Sequence, residues 1–322
     1  MTPESVLVVK PSSLGDIVHT LPAVHYLKTT FRNAEFSWIA NTEWVPLLEQ
    51  NGDLTTIVPF PRGEFKNLGG AFKFFQWCQS LAGLKPDLVL DFQGLFRSAW
   101  ISRSAKGKSV LGLSDSREAS HFFYDKRALV HSGQHSVERY LALARLAGAD
   151  TSGPIQFPLP PGKAISFLEL PEHYVVLHPF ARGAGKSLTA GEISEFTRLV
   201  APIPVVVVGR SNEQFTTDQN GISLVNKTGL PELIWVLRRS SFIVSVDSGP
   251  MHIGAAITSE LLSIHLWSDP GSVGPYNPDA WIWKDRRIVQ VRSNQAGASQ
   301  PGMDRRPDMA QIARFVRDRL LH

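Results

Sequence analysis

The sequence predicts an α/β protein made of two Rossmann-like, doubly wound domains, and three observations support this fold class. The chain has 322 residues, which is about the length of two domains that each bury a core. Short runs of β-branched residues alternate with longer amphipathic stretches, as in parallel strands joined by helices. Proline and glycine interrupt this alternation between residues 152 and 162. We therefore expect one domain at 1–155, a second at 156–322, and a ligand cleft between them.

The predicted elements follow from the spacing of the apolar residues. An apolar run at 6–9 predicts the first strand, and apolar residues at helical spacing predict a helix over 16–28. Residues 309–321 predict a terminal amphipathic helix, which we expect is able to pack back on the first domain. The other strands are predicted at 36–40, 56–59, 88–91, 110–113, 174–177, 204–208, 242–246 and 261–266.

Composition narrows the class of protein. A net charge of +4 and a pI of about 9.2 favour phosphates or an anionic membrane surface without requiring either, and we expect no nucleic-acid partner. The one cysteine, Cys78, excludes an intrachain disulfide and a cysteine metal cluster. The N-terminus lacks the features of a signal peptide, and no apolar run is long enough to span a bilayer. We expect a cytoplasmic protein that touches a membrane from one side at most.

The first loop that follows a strand, residues 10–16, carries hydroxyl and carboxylate groups. Gly15 permits a tight turn, and Ser13 and Asp16 stand where the next helix begins. Asp16 is either an N-cap or a general base that accepts the proton of an attacking hydroxyl, and both roles are compatible. The loop lacks the three spaced glycines of a nicotinamide-binding site.

The second loop, residues 178–187, resembles the end of a Walker A motif. Phe180 stands where that motif requires glycine, so a phosphate-binding loop of the NTPase type is not expected. Arg182 and Lys186 remain as two cations that are able to bind a diphosphate. The alternative is a solvated basic loop.

The third loop, which begins at Asp247, leads from a strand into a helix. Ser248 and Gly249 make the turn, and free backbone amides at such a helix start can bind phosphate oxygens. The alternatives are an N-cap for Asp247 and a satisfied core histidine for His252. Elsewhere, Glu213 follows another strand and is suited either to ribose hydroxyls or to solvent.

Five motifs occur in the order that glycosyltransferase family nine, the heptosyltransferases of lipopolysaccharide synthesis, shows them. They lie at residues 6–22, 91–98, 135–139, 246–252 and 268–271, and the resemblance extends to about residue 276. It implies the GT-B fold and inverting transfer of heptose from ADP-heptose to the Kdo–lipid A inner core. It also implies a contact with the inner face of the cytoplasmic membrane. It implies no catalytic metal and no cofactor.

The resemblance also implies roles for the loop residues. Asp16 becomes the general base, and Lys186 stabilises the departing diphosphate. An anionic lipid-linked acceptor favours binding by Arg62, Arg97, Arg117 and His135. Because the loop at 180–187 departs from the family pattern, a different sugar or acceptor and an inactive nucleotide-sugar-binding protein stay open as alternatives. The expected donor-binding residues are Ser13, Gly15, Arg182, Glu213, Asp247, Ser248, Gly249 and His252.

Overall fold

The chain folds into two compact units, Met1–Pro160 and Pro161–His322, in a computed structural model. Each unit holds a mainly parallel β-sheet covered by helices, which confirms the predicted α/β class. The structure describes residues 2–66, 69–183, 185–212, 217–293 and 306–321.

The first unit contains a six-stranded sheet whose strands all run parallel, in the order β3-β2-β1-β4-β5-β6. In this Rossmann order the chain adds strands on one side of β1 and then, from β4 onward, on the other side. Proteins of this fold bind ligands at the carboxyl ends of the strands at this switch point, which lies between β1 and β4. The strands are β1 (Ser5–Val9), β2 (Glu35–Asn41), β3 (Thr56–Phe60), β4 (Leu88–Asp91), β5 (Ser109–Leu113) and β6 (Lys126–Ala128). The helices are α1 (Leu14–Thr30), α2 (Val45–Leu48), α3 (Gly70–Ser80), α4 (Phe96–Ser104) and α5 (Ser136–Leu146).

The helices of the first unit form layers on the sheet. Helices α1 and α5 pack against each other. Helices α3 and α4 share a buried apolar cluster with β1, β4 and β5. The β-branched run of β1 is buried throughout because β1 is a central strand with neighbours on both edges.

The second unit repeats the same strand order and adds one antiparallel edge strand. Its sheet has the order β13-β12-β11-β10-β7-β8-β9, so the switch point of the strand order lies between β7 and β10. The strands are β7 (Val175–His178), β8 (Val205–Val207), β9 (Gly221–Ser223), β10 (Phe242–Val246), β11 (Leu261–Ile264), β12 (Trp281–Lys284) and β13 (Arg287–Gln290). The helices are α6 (Ala190–Val200), α7 (Leu230–Arg239), α8 (Gly249–Ile257), α9 (Pro270–Val273) and α10 (Met309–Leu321).

The terminal helix α10 packs in the second unit. Its apolar stripe, with Met309, Ile312 and Val316, is buried in the core of that unit beside α6. The hydrophobic face of an amphipathic helix packs on the nearest open apolar surface, and the edge of its own unit's core offers one.

Four short strands were absent from the sequence prediction: β6, β9, β12 and β13. The β12–β13 hairpin turns through Asp285 and Arg286, both of which have positive φ angles, 48° and 60°. Such a two-residue turn is normally signalled by Asn-Gly or Asp-Gly, and here Asp285 is present but the glycine is not. The turn therefore carries only part of the usual sequence signal.

Candidate functional site

The carboxylate of Asp16 lies at the carboxyl end of β1, beside the switch point of the first sheet. Helix α1 begins at Leu14, two residues before the predicted start, with Ser13 as its N-cap residue. The Ser13 backbone N–H and hydroxyl donate to Asp16 Oδ2 at 3.0 and 2.7 Å. Asp16 therefore does cap the helix, from its third position, as in a capping box. Its side chain keeps 36% of its surface exposed, so the carboxylate remains accessible.

A buried lysine and tyrosine hold the other oxygen of this carboxylate. The Tyr140 hydroxyl donates to Asp16 Oδ1 at 3.1 Å, and Lys10 Nζ donates to the same hydroxyl at 2.8 Å. Lys10 Nζ also donates to the Phe92 carbonyl at 3.0 Å and lies 3.9 Å from Asp16 Oδ1. Tyr140 lies on α5, so two loops and a helix position one carboxylate.

The electrostatics of this group favour an ionised Asp16. Burial by itself raises the pKa of Asp16, but the Lys10 charge and the Ser13 hydrogen bonds outweigh it and hold the pKa below its ordinary value. Burial lowers the pKa of Lys10, while the Asp16 and Asp91 carboxylates raise it. Burial also raises the pKa of Tyr140 well above its ordinary value, so Tyr140 stays a hydroxyl donor. Asp16 is thus an ionised carboxylate at neutral pH.

A second carboxylate nearby, Asp91, has a structural role. It is fully buried and accepts hydrogen bonds from the Gly94 N–H at 3.1 Å, the Ser98 hydroxyl at 2.8 Å and the Tyr124 hydroxyl at 2.8 Å. Its oxygens are occupied in fixing the start of α4. Asp91 is the first residue of the 91–98 motif, which therefore shapes the loop after β4.

The four predicted acceptor-binding residues each follow the carboxyl end of a different strand of the first sheet. Arg62 follows β3, Arg97 follows β4 and Arg117 follows β5, and all three are exposed. His135 precedes α5, where its Nδ1 accepts the Val137 N–H at 3.2 Å. Its ring meets that of His19 edge-on, with the ring centroids 5.1 Å apart.

In the second unit, His178 and Ser248 lie close together at the switch point of the second sheet. His178 ends β7 and is buried, and its Nδ1 lies 3.1 Å from the Ser248 hydroxyl. Burial lowers the pKa of His178 to about 4, so its imidazole is neutral at pH 7. Ser248 is the N-cap residue of α8, and Gly249 is the first residue of that helix. The predicted turn after β10 is present.

The basic loop after β7 is closed by its own hydroxyl. The Ala181 N–H donates to Ser187 Oγ at 3.0 Å, and the Ser187 hydroxyl donates to the Ala181 carbonyl at 3.2 Å. The Trp267 indole N–H, from the loop after β11, donates to the Gly185 carbonyl at 3.1 Å. Arg182 and Lys186 are exposed on this loop. The loop thus presents two cations at the carboxyl end of β7.

The remaining predicted donor residues lie near one another or outside the described chain. His252 Nε2 lies 4.0 Å from Asp247 Oδ1, and the His252 side chain is 9% exposed. This burial agrees with the alternative interpretation of His252 as a core histidine. Burial lowers the pKa of a further histidine, His265, to about 4. Glu213 lies outside the described residues.

The described residues contain neither a cluster of metal-ligating side chains nor a membrane-spanning helix. Among them, no three histidine, cysteine, aspartate or glutamate side chains are grouped so as to hold a metal ion. In the same part of the chain, no helix has the length and apolar character that a bilayer crossing requires.

Sequence reasoning missed three residues of these sites: Lys10, Tyr140 and His178. Lys10 follows a buried strand and His178 ends one, and each is the first residue of a loop that the sequence singled out. Tyr140 directly follows the motif at 135–139. A search for polar residues at strand ends would have found the first two, but only the fold brings Tyr140 to Asp16.

Solved structures show which fold this is. Escherichia coli heptosyltransferase WaaC with ADP superposes with a TM-score of 0.72 at 23% identity, covering 86% of this chain and 92% of that one. E. coli ADP-heptose lps heptosyltransferase II superposes with a TM-score of 0.71 at 21% identity, covering 87% and 90%. These likenesses confirm the GT-B fold.

The sequence comparisons give the family. The profile of glycosyltransferase family 9 (heptosyltransferase) matches residues 74–295, and the chain belongs to this family. Lipopolysaccharide heptosyltransferase 1 of Pseudomonas aeruginosa is 28% identical over 301 residues, covering 84% of this chain and 81% of that protein. Lipopolysaccharide heptosyltransferase 1 of E. coli K12 is 26% identical over 315 residues, covering 90% and 96%. The chain is therefore a glycosyltransferase.

Proposed function

We propose that this chain transfers heptose from ADP-heptose, with inversion and without a catalytic metal, to the Kdo–lipid A inner core of lipopolysaccharide. The curated relatives that bear the heptosyltransferase name align with most of the chain. One observation of the site carries the proposal: an ionised, accessible carboxylate, Asp16, fixed by hydrogen bonds to both oxygens at the carboxyl end of β1.

In the proposed reaction, Asp16 accepts the proton of the acceptor hydroxyl as that hydroxyl attacks the anomeric carbon. A carboxylate held by Ser13 and Tyr140 keeps its orientation, so little reorganisation is needed when the proton arrives. The lowered pKa keeps it ionised at the pH at which the reaction runs.

The basic residues after the strands of the first sheet bind the anionic acceptor. Arg62 and Arg117 follow strands that are four places apart in the sheet, which is ~19 Å at the usual strand spacing. A single small anion cannot reach both, whereas a glycolipid with several carboxylates and phosphates can. Arg97 and His135 complete this set.

On the donor side, Lys186 and Arg182 neutralise the diphosphate as the glycosidic bond breaks. Negative charge grows on the leaving group in that step, so a fixed cation stabilises the transition state more than the ground state. The Gly249 N–H at the start of α8, beside Ser248, binds a phosphate oxygen. Asp247 and His252, as well as Ser13 and Gly15 of the first loop, complete the proposed donor contacts, and Glu213 stays a prediction for the ribose.

The test is transfer by the purified protein from ADP-heptose to a truncated lipopolysaccharide acceptor, with the product identified by mass. Asp16→Asn should fold normally and lose about 10²–10⁴-fold in kcat, the usual contribution of a general base. Asp53→Asn, which changes a carboxylate bonded to His25, is the matched control and should retain activity. Unchanged turnover with a lower Tm in Asp16→Asn would show that this residue only caps its helix.

The alternatives have their own outcomes in the same assay. Transfer from another nucleotide sugar in preference to ADP-heptose would assign a different donor within the family. Thermal stabilisation by ADP-heptose without product would indicate a binding protein that has lost catalysis. Lys186→Gln should lower kcat while Lys163→Gln, outside the loop, should not.

A further inference from the structure

One face of the first unit exposes a group of aromatic side chains. Helices α3 and α4 and the 3₁₀ turn at Ser120–Phe123 cover the same side of the sheet, because Trp77, Ala99 and Phe123 from these elements all pack into one core cluster. The opposite sides of these elements therefore point outward together. We call the exposed group there the aromatic face; it consists of Phe72, Phe75, Phe96, Trp100 and Phe122.

The exposure of these side chains is large. Phe72 is 65% exposed, Phe75 47% and Phe122 80%. Among the described residues, Phe167 and Trp267 are the other exposed phenylalanine and tryptophan side chains. Apolar side chains exposed to this degree on one side of a folded domain commonly mark an interaction site, since their contact with water is unfavourable.

The stretches that carry α3 and α4 hold charges of one sign, whereas Asp115, Glu118 and Asp125 flank the turn that carries Phe122, and Glu118 Oε2 accepts the Phe96 N–H at 3.1 Å. Residues 65–86 and 92–114 contain no aspartate or glutamate, although the whole chain has 33 basic and 29 acidic residues. Of the basic residues there, Arg103 pairs with Asp125 and Lys108 with Asp87. The basic residues of these two stretches are Lys66, Lys73, Lys85, Arg97, Arg103, Lys106 and Lys108.

Exposed aromatic rings amid lysines and arginines match the chemistry of an anionic lipid surface. Tryptophan settles at the level of the lipid head groups because its ring has an apolar body and a polar N–H, and phenylalanine rings insert at the boundary between head groups and acyl chains. Basic side chains around them attract anionic lipids, and the two contributions add. A protein partner would need both an apolar surface and a continuous acidic one to match this face.

We propose that the aromatic face docks on the surface of an anionic phospholipid bilayer, with Phe72 and Phe75 in the head-group region and Lys73 against lipid phosphates. This proposal rests on the proposed function for its purpose, because a lipid-linked acceptor resides in a bilayer. Docking through α3 and α4 holds the first unit, with its acceptor-binding loops, at the surface that carries the acceptor.

The test is co-sedimentation of the full chain with vesicles. We compare phosphatidylcholine vesicles with vesicles that contain about 30% phosphatidylglycerol, at low and high salt. The wild-type chain should bind the anionic vesicles and release them at high salt. Phe72→Ser/Phe75→Ser should bind about tenfold less, since two apolar anchors are lost. Lys73→Glu, on the same helix, should also bind less.

The matched control is Phe167→Ser/Leu168→Ser, which removes two exposed apolar side chains from the second unit. It should bind the vesicles as the wild type does. Absence of wild-type binding, equal binding to neutral vesicles, or equal losses in the control and the α3 variant would each overturn the proposal. A concentration-dependent dimer that Phe72→Ser/Phe75→Ser abolishes would assign the face to a second copy instead.

Activity separates this proposal from the proposed function. Transfer to a water-soluble, delipidated acceptor should be unchanged in Phe72→Ser/Phe75→Ser, whereas transfer to the vesicle-embedded acceptor should show a raised KM. If the wild type transfers no heptose at all but still binds anionic vesicles, the proposed function fails and the docking stands. If the double variant has a lowered Tm, Lys73→Glu on the exposed side of α3 decides.

Discussion

Replacing the buried Lys10 with methionine should move the pH dependence of transfer. The methionine side chain has nearly the same length, carries no charge and suits a site that is 3% exposed. Two unit charges at the 3.9 Å between Lys10 Nζ and Asp16 Oδ1 attract by ~1 kcal/mol in bulk water and ~4 kcal/mol at an effective dielectric constant of 20. Because 36% of the Asp16 side chain is exposed, we take about 1–2 kcal/mol.

This free energy favours the ionised form of Asp16 by a factor of roughly 5–30. Lys10 holds the pKa of Asp16 down, so its removal raises that pKa, and the base is lost from the acid side as the pH falls. The acid limb of the kcat/KM profile should therefore move to higher pH. On that limb kcat/KM should fall by about the same factor, whereas at alkaline pH the loss should be smaller.

The assay is the initial rate of transfer across the acid and neutral range, with Tm measured to show that the fold is kept. Tyr140→Phe, which removes one hydroxyl bonded to Asp16, should shift the limb in the same direction. A loss in Lys10→Met of the same factor at every pH, with the acid limb in place, would refute the electrostatic role of Lys10. Lys10 would then serve only to pack the loop.

Two further predictions concern the stability of the second unit. Burial lowers the pKa of His178 from its ordinary 6.5 to about 4, so only the unfolded chain takes up this proton between those values. The free energy of unfolding should fall by about 3 kcal/mol as the pH drops through that window, and His178→Gln should remove this part of the slope in denaturant titrations. A slope identical to that of the wild type would contradict the burial of a neutral imidazole. Gly254→Ala places a Cβ 2.7 Å from Leu261 Cδ1, whereas at Gly191 the nearest atom is 3.9 Å away. The two alanine variants should differ in stability by about 1–3 kcal/mol in thermal melts, with Gly191→Ala the more stable, and equal Tm values would show that the core around α8 has room.

The fold was predictable because its main signals are local. Strands such as β1 and β10 are buried and therefore carry runs that are rich in β-branched and apolar residues. Helix starts such as Ser13 and Asp16 carry polar side chains that bond to the first turn. The strands at 6–9, 88–91 and 242–246 were placed on these grounds, and the structure agrees within one residue. The short edge strands β6 and β9 carry neither signal, because a strand at the exposed edge of a sheet needs no apolar run.

The candidate site was predictable only in part. The loops after β1, β7 and β10 follow from the strand assignments, so Asp16, Lys186 and Ser248 were found as members of such loops. The side chains that tune them were not, because their role depends on burial and on distant neighbours. From the sequence alone, Lys10 is an ordinary loop lysine. Only the structure shows that the Tyr140 hydroxyl links its ammonium group to Asp16.

By itself, then, the sequence determined the alternation of strands and helices and the family motifs, since each depends on residues a few positions apart. The tertiary structure alone decided which groups meet. Tyr140 bonds to Asp16 across 124 positions, and Ser248 lies beside His178 across 70. It also decided where the stripe of α10 is buried and which ionisable groups lose their water. Both depend on how the whole chain closes around a core, and desolvation of a lysine or histidine has no local signature in the sequence.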